Sequence, residues 1–234
     1  MKILAIDCSA VAASVAIVEN DKVLSYSYTN VGLTHSQTLV PMINSTLKQA
    51  SITLDDIDAY AINAGPGSFT GVRIGVAALK GLTALTEDNS ITVSTLESMA
   101  YNYAGVKDCI VCAAMDARCK QTYTATFEVK DGRVKRLTDD SAIMIDELKT
   151  VLKDKSNVIF VGDGASLCYN MLREDLPEAS VAPMNLLYQN AVSVARCDAA
   201  HIENGEKLIP SEKILPTYLR APQAERELKR KQSR

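Results

Sequence analysis

Apolar and polar positions follow two rhythms along this chain. Residues 2–7 form a nearly unbroken apolar run ending in Asp7, and 14–19 and 22–28 alternate on either side of an Asn20-Asp21 turn signal. Between 34 and 50 the apolar residues fall at 39, 43, 47 and 50, one face of a helix, with Thr34 placed to cap it. A short strand at 58–63 leads into the glycine-rich stretch GPGSFTGVRIG (65–75), then a helix to about residue 86, a strand at 91–93 and a helix at 95–103. The predicted order is β-β-β-α-β-α-β-α.

The second half repeats that order. Residues 109–116, 120–129 and 133–138 read as strands, with Asp131-Gly132 as a hairpin turn. A helix at 145–153, a strand at 157–162 and a helix at 165–173 follow, with one more helix at 187–202. Two βββαβα units without sequence identity indicate a duplicated lobe, and duplicated lobes meet at a cleft. The expected division is an N-terminal lobe at 1–106, a C-terminal lobe at 107–220 and a basic tail at 221–234. Each lobe has the roughly 100 residues that an independent core needs.

Composition narrows the classes. Of the 234 residues 47% are hydrophobic, enough for a sizeable core, and the net charge of -3 gives no general drive toward nucleic acid. MKILAIDCSA reaches an acid at residue 7, unlike a signal peptide, and no apolar run approaches the ~20 residues of a membrane span. Six scattered cysteines suit a reducing cytoplasm better than a disulfide framework. His35 and His201 are the only histidines.

The glycine loop fails three phosphate- or nucleophile-binding patterns. A Walker loop needs Gly-Lys-Ser/Thr where Thr70-Gly71-Val72 stands, a dinucleotide fingerprint needs glycine where Thr70 stands, and a nucleophile elbow needs glycines where Pro66 and Thr70 stand. What remains is backbone geometry: Pro66 fixes φ, Gly65 and Gly67 permit tight turns, and Ser68 or Thr70 can cap the next helix. That helix carries a small stripe of Gly71, Gly75 and Ala78 beside an apolar stripe of Val72, Val76, Leu79 and Thr83. So wide an apolar surface is expected to be buried on more than one side, against the sheet and against a partner or neighbouring helix.

ILAIDCSA (3–10), INAGPGSFTGVRIG (62–75), VSTLESMA (93–100), MDAR (115–118) and PTYLRAPQAE (216–225) together resemble the TsaB family. The resemblance implies an α/β actin-like ATPase (ASKHA) fold of two ribonuclease-H-like lobes, in agreement with the duplicated βββαβα order. It also implies a non-catalytic subunit that binds and activates the catalytic paralogue TsaD in making threonylcarbamoyl-adenosine next to the tRNA anticodon. The pair works with the ATPase TsaE, and tRNA is met only through the complex. TsaD-like sequences carry a helical H-x-x-x-H metal pair where this chain has Thr95 and Met99, so no metal is expected. The nucleotide cleft is expected to survive only as a vestige at Asp7, Ser9, Asp116, Gly162 and Gly164. Arg118 and Asp163 stand where smaller residues would serve a phosphate. No cofactor follows. The partner surface is expected on helices 34–50 and 71–86, with Thr38, Met42, Val72, Val76, Leu79 and Thr83 facing outward, and a homodimer in the absence of TsaD. The alternative on the same fold is an ATP-dependent phosphotransferase or ATPase.

Other clusters carry less. Cys109 and Cys112 lie three apart in a strand, so their sulfurs point to opposite faces rather than to one zinc. Asp55, Asp56 and Asp58, and the pair Asp139-Asp140, read as loop and turn residues. His35 reads as a surface or capping residue at a helix start. The tail 220–234 sets six basic residues against two acids, which suits a solvated terminus.

Overall fold

In the computed structural model, which describes residues 1–84 and 89–220, the chain forms two sheets with helices between and outside them. The first sheet contains β1 (Lys2–Asp7), β2 (Ala13–Glu19), β3 (Lys22–Thr29), β4 (Ala59–Asn63) and β5 (Ser90–Val93), in the order β3-β2-β1-β4-β5. β1 pairs antiparallel with β2 and parallel with β4. A central strand with a neighbour on each side and helices on both faces has no solvent side. That is why β1 reads as continuous apolar sequence rather than alternation.

The second sheet repeats this order. β6 (Cys109–Asp116) pairs antiparallel with β7 (Gln121–Lys130) and parallel with β10 (Val158–Val161), which pairs with β11 (Ser180–Val181). β8 (Arg133–Arg136) and β9 (Ser141–Met144) both pair with β7. The expected strand 133–138 is β8 alone, ending at Arg136, and β9 and β11 are strands that the sequence pattern did not predict. Runs of two to four residues are too brief to show a period.

Helices form five layers with the sheets. α1 (His35–Ala50) and α2 (Phe69–Leu82) cover one face of the first sheet, where Leu39, Ile43, Val72, Val76 and Leu79 meet Leu4, Ile6, Tyr60 and Ile62. α4 (Leu148–Leu152) and α5 (Ala165–Leu172) cover the outer face of the second. Between the sheets the helices cross over. α3 (Thr95–Ala100), from the first half, packs on β6 and β7, and α7 (Ala191–Glu203), from the second, packs on β1, β2 and β4. A cut at residue 106 separates the strands but not these helices, so each sheet is closed by a helix from the other half. The one-turn helix α6 (Met184–Leu187) precedes α7. The expected helix at 187–202 begins instead at Ala191, where the Asn190 side chain accepts from the Ser193 N–H.

α2 corrects the expected outward face. Val72, Val76 and Leu79 are buried against the first sheet, Thr83 is buried with its hydroxyl 2.6 Å from Ser211 Oγ, and Thr38 and Met42 are half-buried along α1. Gly71 and Gly75 decide the rotation: a Cβ at Gly71 would lie 2.2 Å from the Cys8 carbonyl, and one at Gly75 would lie 2.7 Å from Cys8 Sγ. The small stripe lets α2 lie directly on the end of β1. The residues left outside are Thr70, Arg73, Ala77 and Gly81. The helix begins at Phe69, two residues early, and the last residues of the expected 71–86 helix, like the tail 221–234, lie outside the described residues. Thr34 stands at the expected cap position of α1, but its side chain bonds Gln37 Oε1 at 3.2 Å rather than a backbone N–H.

Candidate functional site: the cleft between the lobes

Both sheets turn the same corner toward one cleft. β1 ends in Asp7 and β6 in Asp116, and the turns after them face each other across a cavity of about 520 Å³. Ser9, His35, Gly67, Ser68, Arg118 and Asp163 are among its lining residues.

Most polar groups at these turns have a protein partner, while Asp7 Oδ2, Asn63 Oδ1 and His35 Nδ1 are buried without one among the described residues. Asp7 is fully buried, and its Oδ1 accepts from Ser9 Oγ at 2.6 Å, Asn63 Nδ2 at 2.9 Å and Ser9 N–H at 3.2 Å. Burial raises its carboxyl above the usual range, although these bonds oppose the shift. Across the cleft, Asp163 Oδ1 accepts from the Asp116 N–H at 3.1 Å, while the Asp116 carboxylate takes the Arg118 N–H at 2.7 Å and its guanidinium at 3.1 Å. Arg118, Cys119 and Lys120 all adopt positive φ, so the turn after β6 is left-handed for three residues.

The glycines serve packing between turns. The Ser68 N–H donates to the Ser9 carbonyl at 2.6 Å, and a Cβ at Gly67 would lie 2.2 Å from that same oxygen. In the second lobe a Cβ at Gly162 would lie 2.3 Å from the Ala114 carbonyl, and one at Gly164 would lie 3.0 Å from Asp116 N. The GPGSFTG loop and the VGDGAS loop thus occupy equivalent places, each laid against the turn after its central strand. Ser68 caps α2, its Oγ accepting from the Gly71 N–H at 3.2 Å.

The PTYLR stretch proves to be a strap. Thr217 N–H donates to the Ala64 carbonyl at 2.7 Å, and Tyr218 stacks on Phe69 at 4.6 Å and takes a 2.8 Å bond from Arg73 Nε. Arg220 then reaches the Ala117 carbonyl of the other lobe at 2.8 Å. Residues 216–220 therefore run from the start of α2 to the turn after β6 along one wall of the cleft.

The positions that match the metal pair of TsaD-like sequences do not fit a metal. Thr95 and Met99 are fully buried, and Met99 packs in the core of the second sheet. Cys109 and Cys112 lie in different core clusters on opposite faces of β6, and burial pushes the thiols up to about 11 and about 12. Asp56 caps Thr53, Asp58 accepts from the Lys2 N–H at 2.6 Å, and His35 Nε2 lies 2.7 Å from the Ala10 carbonyl.

One cluster was missed. Glu97 of α3 meets Cys197 and His201 of α7, with candidate ligand atoms all within 4.8 Å of one another. Arg136 joins it at 2.6 Å from Glu97 and is held in turn by Asp140 at 2.5 Å. His201 is raised to about 9 by its hydrogen bond to Glu97, against the effect of burial. The sequence signal available was the i, i+4 spacing of Cys197 and His201, which puts both on one helix face.

Two sheets of equal strand order, sharing helices and facing one cleft, define the actin-like ATPase class with two ribonuclease-H-like lobes. The family model of TsaD, tRNA N6-adenosine threonylcarbamoyltransferase, matches residues 29–227. The tRNA threonylcarbamoyladenosine biosynthesis protein TsaB of Bacillus subtilis (strain 168) is 32% identical over 177 residues, 75% of this chain and 77% of that protein. The TsaB of Haemophilus influenzae is 27% identical over 230 residues, 94% of each. The structure described as YeaZ from Pseudomonas aeruginosa superposes with a TM-score of 0.78 at 27% identity, covering 93% of this chain and 99% of that one. The chain belongs to the TsaB family.

Proposed function

We propose that this chain is the non-catalytic subunit that binds and activates a TsaD-like paralogue in threonylcarbamoyl-adenosine modification of tRNA. The observation that carries this reading is the cleft, whose turns bond one another. The Asp116 N–H is spent on Asp163, the Asp116 carboxylate on Arg118, and Gly67 and Gly164 are packed against backbone. A nucleotide phosphate would need those donors and that space free. The pair would work with a TsaE-like ATPase in the cytoplasm and meet tRNA only as a complex. No helix among the described residues is long and apolar enough to cross a membrane.

The partner face is assigned to the outward sides of α1 and α2. Val40 is 48% exposed there, and Ala77 and Gly81 leave α2 low enough for a helix of the partner to approach closely. Thr38 and Met42 sit half-exposed on the other flank of α1, since residues two apart on a helix are about 200° apart. Without the paralogue the same face pairs with a second copy.

Ala77→Glu places a charge on this face without touching the core. It should weaken paralogue binding about 100-fold, the equivalent of roughly 2.7 kcal/mol, with an unchanged melting temperature. Val76→Glu buries the charge against the sheet and should unfold the lobe. A folded Ala77→Glu chain that bound TsaD at wild-type strength would refute the assignment. ATP hydrolysis by the isolated chain that vanished with Asp7→Ala would favour an ATPase instead.

A further inference from the structure

We propose that Cys197, His201 and Glu97 form a divalent-metal site of the zinc type at the junction of the two lobes. It lies on the face of α3 away from Met99, since residues two apart on a helix are about 200° apart. The donor set is a thiol, an imidazole and a carboxylate, the mixture that suits Zn²⁺. A thiolate and a carboxylate together balance the ion's two charges.

The spacing is close to that of a coordination shell. Cys197 Sγ lies 3.7 Å from His201 Nε2, and Nε2 lies 3.1 Å from Glu97 Oε1. Zinc bonds of about 2.3 Å to sulfur and about 2.0–2.2 Å to nitrogen and oxygen give tetrahedral edges of about 3.6 and about 3.4 Å. The candidate ligand atoms of Cys197 and Glu97 lie within 4.8 Å, so movements of a few tenths of an ångström about His201 and of up to about 1.2 Å between sulfur and carboxylate close three corners of a tetrahedron.

Neighbouring side chains orient the imidazole and the carboxylate. Glu206 Oε2 lies 2.7 Å from His201 Nδ1, fixing the ring with Nε2 toward the site. Arg136 holds Glu97 Oε2 at 2.6 Å, which leaves Oε1 as a single-oxygen ligand. His201 is 22% exposed beside a shallow surface cavity lined by Asn204, Gly205 and Glu206, so water can take the fourth corner and an ion has a way in. On binding, the ion replaces the proton between Nε2 and Oε1 and the proton of the Cys197 thiol. Glu97 stands on the helix that closes the second sheet, and Cys197 and His201 on the helix that closes the first. The ion would therefore tie the two lobes together.

The test uses the full chain stripped with a chelator, in a Cys119→Ser background that removes the exposed thiol. Zinc is titrated calorimetrically and cobalt optically. One equivalent of Zn²⁺ should bind with a Kd of about 1 µM or tighter, near -8 kcal/mol, and Co²⁺ should show a thiolate charge-transfer band. His201→Gln should weaken binding more than Glu206→Gln, for which a loss of about 10- to 100-fold is expected. Cys197→Ser should abolish the cobalt band. If that variant does not fold, the band in the Cys119→Ser parent and the effect of the half-exposed Glu206→Gln decide. Absence of stoichiometric zinc, a cobalt complex without the thiolate band, or binding indifferent to His201→Gln would overturn the site and leave an ion-pair network.

Discussion

Gly67→Ala tests the claim that the glycine loop is shaped by turn-on-turn packing. The new Cβ would stand 2.2 Å from the Ser9 carbonyl oxygen, 3.0 Å from its carbon and 3.1 Å from Ser9 Cβ. Carbon and oxygen atoms rest at about 3.3–3.6 Å even in favourable contacts, so the loop or the turn must move by about 1 Å. That oxygen also accepts the Ser68 N–H at 2.6 Å, and the movement breaks this bond at the start of α2. Overpacking costs about 1–3 kcal/mol and the lost bond about 1 kcal/mol, together about 2–4 kcal/mol. For a chain of this size each kcal/mol lowers the melting temperature by about 2–4 °C, so a fall of roughly 5–15 °C is expected. Gly81→Ala is the matched control. It lies exposed in α2 with nothing within 4 Å of the added Cβ, and should gain up to about 1 kcal/mol in helix propensity. Calorimetric melting of both variants decides the matter. A Gly67→Ala protein melting within a degree of wild type would show that the loop has slack and that its glycines serve something else.

Asp7→Ala leaves Asn63 Nδ2 and the Ser9 N–H without their acceptor and should cost about 2–4 kcal/mol in denaturant unfolding. Asp7→Asn keeps an acceptor in place and should do much less harm. Because burial raises the Asp7 carboxyl in the folded state, its contribution is most favourable below the ordinary aspartate range, near pH 3.9, and is lost as pH rises through the raised value. The Asn variant should therefore gain on wild type as pH increases, and a gap that moved the other way would contradict the assignment. Of the six thiols, Cys119 alone is exposed, so one thiol per native chain should react rapidly with an aromatic disulfide reagent, and none after Cys119→Ser. Tyr218→Ala removes the stacking on Phe69 and the bond from Arg73, and should cost about 1–2 kcal/mol and speed proteolysis of the strap. Tyr218→Phe should lose only the smaller, hydrogen-bond part.

What is local or repeated in this fold was legible in the sequence. The apolar run of β1, the turn at Asn20-Asp21, the spacing of Leu39, Ile43 and Leu47, the β-β-β-α-β-α order of the first half and, apart from the added β9, that of the second follow from periods that each segment carries within itself. The same holds for the divergence of Cys109 and Cys112, a consequence of strand geometry alone. The rotation of α2 was not legible. Val72, Val76 and Leu79 on one side and Ile74 and Ala77 on the other are similar enough that hydrophobicity cannot choose between them. Tertiary structure chose, because only Gly71 and Gly75 let the helix approach Cys8 and Ile62. That stripe turned inward and carried the expected partner-facing residues with it. The exchange of α3 and α7 between sheets, and the meeting of Glu97 with Cys197 and His201, join residues about 100 positions apart. No periodicity spans such a distance. These contacts exist only because two lobes of the same topology close over shared helices.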